Sequence, residues 1–383
     1  MWIFLNIFII LISAMVIPLP KLNDIFWIPR ETVFVLGSIS LIGIGLICQQ
    51  YKNLVLKNMW LGLILIYSAL SFIITFYLPF VFNNPNGSIV WNLWAIRPTI
   101  NLILSIFLIQ TLVEYTDNLN RWVKLGEVLC WVLFSFSVYA IFQFFHIDPI
   151  FNKNTQWILG GDNHIILTFG NTNLAGNFLA ILSPLCLMFK KFRFKLFYIL
   201  AFEAIVLTQS SLSLVAFIIG FLIYLLMTNK TKWFFLLILV LVSGSLTLSH
   251  YFPAFFSFSG RLTLWKEIFK VSKESLFFGS GLGSLAFRNM TLSTTKILSA
   301  HCEPLQILSE GGLVLSTLVF GYLITLFKNI FFTKKTMLLI GYVSAFSSFL
   351  IISLGSFPFR IAPLALIGII YIASLEAQII KGE

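Results

Sequence analysis

The sequence predicts an all-α polytopic membrane protein, with about twelve transmembrane helices and a large outer-face loop that contains interfacial helices. Of its 383 residues, 59% are hydrophobic and only 10% are charged, whereas soluble domains carry about 25% charged residues. Apolar runs of about 20 residues, the length that crosses a hydrocarbon core about 30 Å thick, recur along the whole chain. These observations exclude a soluble domain and predict one integral membrane domain over residues 1–383.

The apolar runs place the predicted transmembrane helices in order along the chain. The first run is expected to remain as a span, because no basic segment precedes it as in a cleaved signal peptide. Two of the later runs are short and are separated only by the turn at Gln209-Ser210-Ser211. The predicted helices lie near residues 2–18, 31–48, 59–79, 89–112, 124–146, 173–189, 195–209, 211–228, 233–249, 304–327, 336–354 and 360–377.

The net charge of +11 is explained by membrane topology, and no nucleic-acid partner is expected. Most of the basic residues lie in short clusters between the apolar runs, which is the positive-inside pattern. Alternation from a cytoplasmic N-terminus puts these clusters and both termini on the cytoplasmic face, and the loops at 147–172 and 250–303 on the outer face. The clusters are Lys52/Lys57, Lys190/Lys191/Arg193/Lys195, Lys230/Lys232 and Lys328/Lys334/Lys335.

No metal or cofactor site is predicted. The four cysteines show no CxxC or Cys/His spacing, and three of them lie in or beside apolar runs, which predicts inert packing. The outer-face segments contain no DxD motif or carboxylate cluster of the kind that holds Mg²⁺. A diphosphate bound at this face must therefore be neutralised by arginines and helix N-termini.

The loop at 250–303 contains an amphipathic segment over residues 261–275. This pattern indicates either a helix in the plane of the membrane interface or a lid helix that covers the bundle. The Gly-rich stretch Gly279–Gly283 that follows is interpreted as a tight turn, because no βαβ unit can surround it. The side chains that share the apolar side of the segment are Leu264, Trp265, Ile268 and Phe269, opposite Lys266, Lys270 and Lys273.

Three arginines lie near the outer face inside or beside predicted helices: Arg97, Arg261 and Arg360. Snorkelling of the side chain to lipid headgroups accounts for any one of them. Their convergence on one face favours an anionic ligand, because guanidinium groups bind phosphate through two parallel hydrogen bonds.

His301 precedes an apolar run whose first turn is expected to contain Pro304. The positive end of that helix disfavours the imidazolium form, so the ring should be neutral near pH 7, as a general base requires. An interfacial histidine without a role is the alternative. Glu303, Gln306 and Glu310 follow on one face of the same helix, and a packing role between helices is the alternative for Gln306.

Four stretches of the chain, within residues 165–315, resemble motifs of the O-antigen ligase/polymerase family. This family of polytopic bacterial enzymes includes O-antigen ligases, O-antigen polymerases and protein O-oligosaccharyltransferases. The stretches are Thr168–Ala175 (TFGNTNLA), Leu207–Ser210 (LTQS), Gly260–Trp265 (GRLTLW) followed by Gly279–Gly283, and His301–Leu313 (HCEPLQILSEGGL). The last of these is the most specific.

The resemblance implies an inverting, metal-independent glycosyltransferase of the bacterial inner membrane, with no cofactor and an active site at the periplasmic face. The implied donor is a glycan on undecaprenyl diphosphate, and the acceptor is a hydroxyl of lipid A-core or of a growing glycan. His301 matches the family's essential histidine, and Arg261 matches the loop arginine proposed to bind the diphosphate.

The chain departs from the family pattern at three positions. Ser211 stands where an arginine is usual, His164 where a basic residue is frequent, and Cys302 where the residue after the essential histidine is polar. Arg97 and Arg360 are the candidates to supply the missing charge. Asn171 belongs to the first motif and is expected to support the site together with the polar residues of the last one.

Several functions remain open at this point. A ligase in lipopolysaccharide biosynthesis, a polymerase of O-antigen or exopolysaccharide repeat units and a protein-glycosylating enzyme share the same motifs. A lipid-linked glycan flippase or other transporter is a more remote alternative, because no internal repeat is evident and the largest loop contains the best motif. A peptidoglycan-type polymerase has an aspartate in its large loop, and residues 251–300 contain none.

Overall fold

The computed structural model describes residues 28–47, 59–81, 89–115, 118–148, 165–230, 232, 259–285 and 299–382. Throughout these residues the regular secondary structure is helical, which confirms the predicted all-α class. The predicted helices near 2–18 and 233–249 lie outside the described residues, as does His164.

The helices agree with the predicted apolar runs to within about five residues at each end, except that the run at 173–189 is an α-helix only to Leu182 and continues as a 3₁₀ turn to Met188. The two short runs form separate helices, joined by a turn at Thr208–Ser210. The helices are α1 Ile28–Ile47, α2 Met59–Val81, α3 Ile89–Tyr115, α4 Leu119–Phe144, α5 Thr172–Leu182, α6 Phe192–Leu207, α7 Ser211–Met227, α8 Ser259–Ser272, α9 Glu303–Phe332, α10 Met337–Gly355 and α11 Ala362–Gly382, with 3₁₀ turns at Ser183–Met188, Lys273–Ser275 and Pro358–Arg360.

Among the described helices, α4, α9, α10 and α11 are long and apolar enough to cross a membrane. Their length and composition identify a membrane protein. The number of about twelve spans and the extent of the periplasmic loop stay predictions.

Close packing through small residues joins α5, α7 and α10. A Cβ on Gly176 of α5 would lie 2.7 Å from Ser213 Oγ of α7, and a Cβ on Gly220 of α7 would collide with Ser348 Oγ of α10. Ser348 Oγ donates to the carbonyl oxygen of Ala216 at 2.8 Å. Small residues let helix backbones approach in this way where lipid provides no hydrophobic driving force.

Helix α11 lies at the centre of the bundle, against α3 and α10. Two of the largest fully buried side chains are tyrosines, Tyr342 of α10 and Tyr371 of α11. Their hydroxyls donate to the carbonyl oxygens of Trp122 and Ile181, each at 3.0 Å. Buried phenol groups of this kind need a hydrogen-bond partner, so both rings join neighbouring helices while they fill the core.

The helix ends fall into two groups at opposite ends of the bundle. At one end, an ion pair of Arg193 with Glu127 joins the starts of α6 and α4, and Thr333 contacts Gly382 at the end of α11. The basic clusters next to Arg193 and Thr333 lie at this end. The opposite end contains the starts of α7, α9 and α11 and the end of α10. Which side of the membrane each end faces stays a prediction.

Helix α9 is broken at Gly312, a feature that the apolar pattern did not predict. Gly312 has a φ of 63° and a ψ of −165°, a conformation that residues with a Cβ rarely adopt. A Cβ at this position would collide with the backbone of Phe277 and Gly279. Close approach of the Gly-rich loop therefore requires glycine here.

The loop at Gly279–Gly283 and the residues just before it supply the backbone hydrogen bonds that the break removes. Its glycines have φ of 69°, 94° and 81°, which confirms the predicted tight turn. Tyr67 of α2 also donates its hydroxyl to the carbonyl oxygens of Phe278 (2.7 Å) and Gly311 (3.1 Å). The backbone hydrogen bonds between the two segments run from Ser280 N to Ser309 O (3.4 Å), Gly281 N to Glu310 O (2.9 Å), Leu313 N to Leu276 O (2.8 Å) and Val314 N to Phe277 O (3.0 Å).

Candidate active site

The candidate site lies where α8 of the large loop meets the start of α9 and the turn between α10 and α11. Helix α8 packs on α9 through Ile268, which is fully buried with Leu285 and Ala300. Phe269, predicted to share the apolar side, is 47% exposed. The burial of Ile268 favours the lid arrangement, while the exposed Phe269 leaves an apolar ring on the outside of the lid.

Arg261, in the first turn of α8, lies over the end of α10. A Cβ on Gly355 would lie 3.3 Å from Arg261 Nη1 and 3.0 Å from Leu212 at the start of α7. Gly355 therefore leaves room for the guanidinium group beside the α7 N-terminus. Ser211, which stands where the family has an arginine, begins that helix.

His301 lies beside Arg261, immediately before α9. Its φ of 49° is a left-handed conformation, which costs about 1–2 kcal/mol for a residue with a Cβ. The ring packs against Phe357 in an edge-on contact with centroids 4.9 Å apart. Burial and the positive charge of Arg261 lower the pKa of His301 below its usual range. The ring is therefore neutral near pH 7 and can accept a proton.

Arg360 joins the turn before α11 to two carboxylates of α9. Its Nη2 lies 2.6 Å from Glu310 Oε2, and its Nε lies 4.0 Å from Glu303 Oε2. Glu303 Oε1 also accepts from the backbone N–H of Phe359 at 3.1 Å. The arginine charge is thus balanced within the protein, so donor binding by Arg360, which stays a prediction, must compete with both glutamates.

Gln306 joins this ion pair to the segment that carries His301. Its Nε2 donates to Glu310 Oε1 at 2.6 Å, and its Oε1 accepts from the backbone N–H of Ala300 at 2.6 Å. All three polar residues predicted on this face of α9 are therefore buried in one network.

A second polar cluster at this end of the bundle was missed by the sequence reasoning. Asn177 of α5 is fully buried, and its Nδ2 donates to Ser356 Oγ at 3.3 Å. Ser213 Oγ donates to Asn177 Oδ1 at 2.9 Å and lies 2.7 Å from Ser210 Oγ. The available signal was an asparagine within an apolar membrane run, where a polar amide needs partners.

The remaining predicted residues lie elsewhere. Asn171 caps α5, because its Oδ1 accepts from the backbone N–H groups of Asn173 (2.9 Å) and Leu174 (3.2 Å). Arg97 is half-buried in α3, which packs mainly against α1, α2 and α11. The structure therefore brings Arg261 and His301 together with the network around Arg360, while Arg97 lies on α3.

Residues 196–320 match the family model of the O-antigen ligases. Over these residues the chain is similar to the O-antigen ligases, which supports its assignment to the O-antigen ligase/polymerase family. The matched range covers α6 to α8 and much of α9, so it includes Arg261, His301 and the Gly-rich loop. No curated protein matches the chain. The family match and the apolar helices together indicate a membrane enzyme that transfers glycans in the manner of O-antigen ligases and polymerases.

Proposed function

We propose that this protein transfers a glycan from undecaprenyl diphosphate to an acceptor hydroxyl at the periplasmic face of the bacterial inner membrane. The arrangement that carries the proposal is the His301 ring, packed on Phe357 before α9, near the Arg261 guanidinium group at the end of α10, whose charge helps to lower the pKa of the ring. When a hydroxyl attacks a diphosphate-linked sugar, the reaction needs a base for the hydroxyl proton and a cation that binds the departing diphosphate.

In this reaction, His301 accepts the proton of the acceptor hydroxyl as the oxygen attacks the anomeric carbon. A new carbon–oxygen bond forms on one face of the sugar while the bond to the diphosphate breaks on the other, which inverts the configuration. The electron pair leaves with undecaprenyl diphosphate, and Arg261 stabilises that charge through charge-assisted hydrogen bonds.

Arg261 is the best placed of the three predicted arginines for this role. Among the residues that the structure describes, no carboxylate lies within ion-pair distance of Arg261, whereas Arg360 has two such partners. A guanidinium group whose charge is not balanced attracts a diphosphate more strongly than one already paired with glutamates.

The acceptor we favour is lipid A-core, which makes the protein an O-antigen ligase. A repeat-unit polymerase with a growing glycan as acceptor uses the same residues. The lipopolysaccharide ladder of a deletion strain separates the two, since loss of a ligase leaves core without polymer and loss of a polymerase leaves core with a single unit.

The residue-level test is complementation of the deletion strain by His301→Ala. The variant should insert in the membrane at the wild-type level and restore no transfer. Glycan transfer at the wild-type rate by a well-expressed His301→Ala protein contradicts the base role. An His146→Ala variant, changed at an exposed histidine at the end of α4, is the control and should complement fully.

A further inference from the structure

Ala300, the residue before His301, is held on both sides by side chains from two helices. It is fully buried, and its backbone N–H donates to Gln306 Oε1 of α9 at 2.6 Å. Its carbonyl oxygen accepts from Trp265 Nε1 of α8 at 3.0 Å. Neither of these bonds is part of a regular helix, so each of the two side chains is a specific partner of this one residue.

The orientation of the Gln306 amide is fixed in turn by charge. An amide group can present either its oxygen or its nitrogen to a neighbour, and only the oxygen can accept the Ala300 N–H. The Glu310 carboxylate accepts from Gln306 Nε2 at 2.6 Å and is itself held by Arg360 Nη2 at 2.6 Å. A chain of hydrogen bonds therefore runs from the turn before α11 through α9 to the backbone of Ala300.

We propose that Trp265 and Gln306 are positioning residues, which hold the His301 imidazole at the acceptor hydroxyl by fixing the Ala300 backbone. Arg360 and Glu310 act one step further away, because they fix the Gln306 amide. The inference rests on the proposed base role of His301. It gives Arg360 a structural function in place of donor binding, and it gives the tryptophan of the large loop a role in the reaction.

The physical reason is the left-handed backbone of His301. A residue with a Cβ keeps such a conformation only where its surroundings over-determine it, and conformations of this kind cluster at functional sites. His301 has a φ of 49° and follows directly after the doubly held residue. Loss of either bond lets the segment relax, and a displacement of about 1 Å can slow a reaction by about a hundredfold.

The kinetic test uses two variants that each remove one bond. Trp265→Phe keeps an aromatic ring without the N–H, and Gln306→Met keeps the length of the side chain without its amide. Each should lower kcat at least about tenfold and change the KM for the lipid-linked donor less than about twofold, as expected for loss of geometry rather than of binding. The reverse pattern, a raised KM with an unchanged kcat, contradicts the proposal.

Two matched controls separate positioning from general loss of packing. Trp131→Phe changes an exposed tryptophan on α4, and Gln378→Met changes a buried glutamine near the far end of α11, whose amide donates to Ser374. Both controls should retain kcat within about twofold, because neither residue contacts the segment before α9. Equal losses in the controls and the test variants refute a specific role for Trp265 and Gln306.

A measurement without substrate reads the position of His301 directly. Diethylpyrocarbonate modifies neutral imidazoles, and mass spectrometry gives the modification rate of His301 relative to the exposed His146 in the resting protein. Release of the ring from Phe357 should raise this ratio at least about threefold in both test variants and in neither control, since local opening exposes held groups. An unchanged ratio in folded Trp265→Phe and Gln306→Met overturns the positioning role. If the wild-type protein transfers no glycan, the proposed function is refuted, while a raised ratio in the two variants still shows that Trp265 and Gln306 hold the His301 ring.

Discussion

At the scale of single residues, the site depends on the charge state of two neighbours. Burial and Arg261 lower the pKa of His301, so the imidazole stays neutral at a pH where an ordinary histidine is partly protonated. A protonated ring cannot accept the hydroxyl proton. The transfer rate is therefore expected to be fully present above the lowered pKa and to be lost as the pH falls through it.

The pH profile of kcat at saturating substrates tests this directly. The acid limb should have its midpoint below about 6.5, the ordinary value for histidine. Arg261→Gln removes the charge that disfavours imidazolium, so the midpoint should move upward. Lys266→Gln, which removes an exposed charge from the same helix, should leave it in place. An unchanged midpoint in Arg261→Gln contradicts the contribution of Arg261 to the lowered pKa of His301.

A second residue-level prediction concerns how the diphosphate is held. Arginine offers a planar fork of donors and lysine a single point charge. Charge-assisted hydrogen bonds contribute about 1.5–3 kcal/mol each, so Arg261→Lys should lose roughly ten- to a hundredfold in activity and Arg261→Ala still more. Lys270→Ala on the same helix is the control. Activity should also be unchanged by EDTA. Loss of activity in EDTA with recovery on adding Mg²⁺ means that a metal ion helps the arginine to bind the diphosphate.

At the scale of helices, the break in α9 and the Gly-rich loop form one unit. Broken helices in transporters occur in corresponding halves and point their free ends at a substrate site. Here the groups freed at Gly312 bind residues 276–281 of the loop instead. The break holds Glu310 against Arg360 and brings the loop onto α9, an arrangement that serves a fixed site rather than a transport path.

Gly312→Ala should therefore destabilise the folded protein. A left-handed conformation at a residue with a Cβ costs about 1–3 kcal/mol, and the collision with Gly279 and Phe277 adds to it. The thermal unfolding midpoint in detergent should fall by several degrees, with loss of activity. Gly43→Ala is the control, because a Cβ there meets nothing within 4 Å and alanine favours a helix. Equal unfolding midpoints for the two variants refute the close packing of the Gly-rich loop on Gly312.

The sequence predicts where the helices lie but does not predict the break in α9. Apolar runs are local, so the helices from α1 to α11 were found close to their observed bounds. Gly312 breaks a helix only because a loop some 30 residues earlier approaches it, and that approach leaves no local pattern. Gln306 and Glu310 were identified because polar side chains are costly in an apolar run. Their partners Ala300 and Arg360 come from other segments, which spacing along one helix does not reveal.

At the scale of the whole molecule, the basic clusters next to Arg193 and Thr333 lie at the end of the bundle opposite the candidate site. From this arrangement the positive-inside rule predicts that the site faces the periplasm. This arrangement suits a donor carried across the membrane before its glycan is transferred.

Cysteine labelling in intact cells checks the orientation. In a Cys302→Ser background, Lys266→Cys in α8 should react with an impermeant thiol reagent from the periplasm, because the lysine side chain is exposed. Lys191→Cys, before α6, should react only after permeabilisation. Reversed labelling overturns the orientation and the periplasmic site with it.

The order of α9 and its partner loop along the chain matters for synthesis. Backbone N–H and C=O groups left unsatisfied in hydrocarbon cost several kcal/mol each, and the break in α9 frees such groups on both sides of Gly312. Residues 276–281 leave the ribosome before residues 309–314. The segment that binds the freed groups has therefore already been synthesised when α9 emerges. In a circularly permuted chain in which α9 is synthesised first, α9 has to enter the membrane with these backbone groups unsatisfied. We expect quality-control proteases to degrade much of this protein before the loop is synthesised.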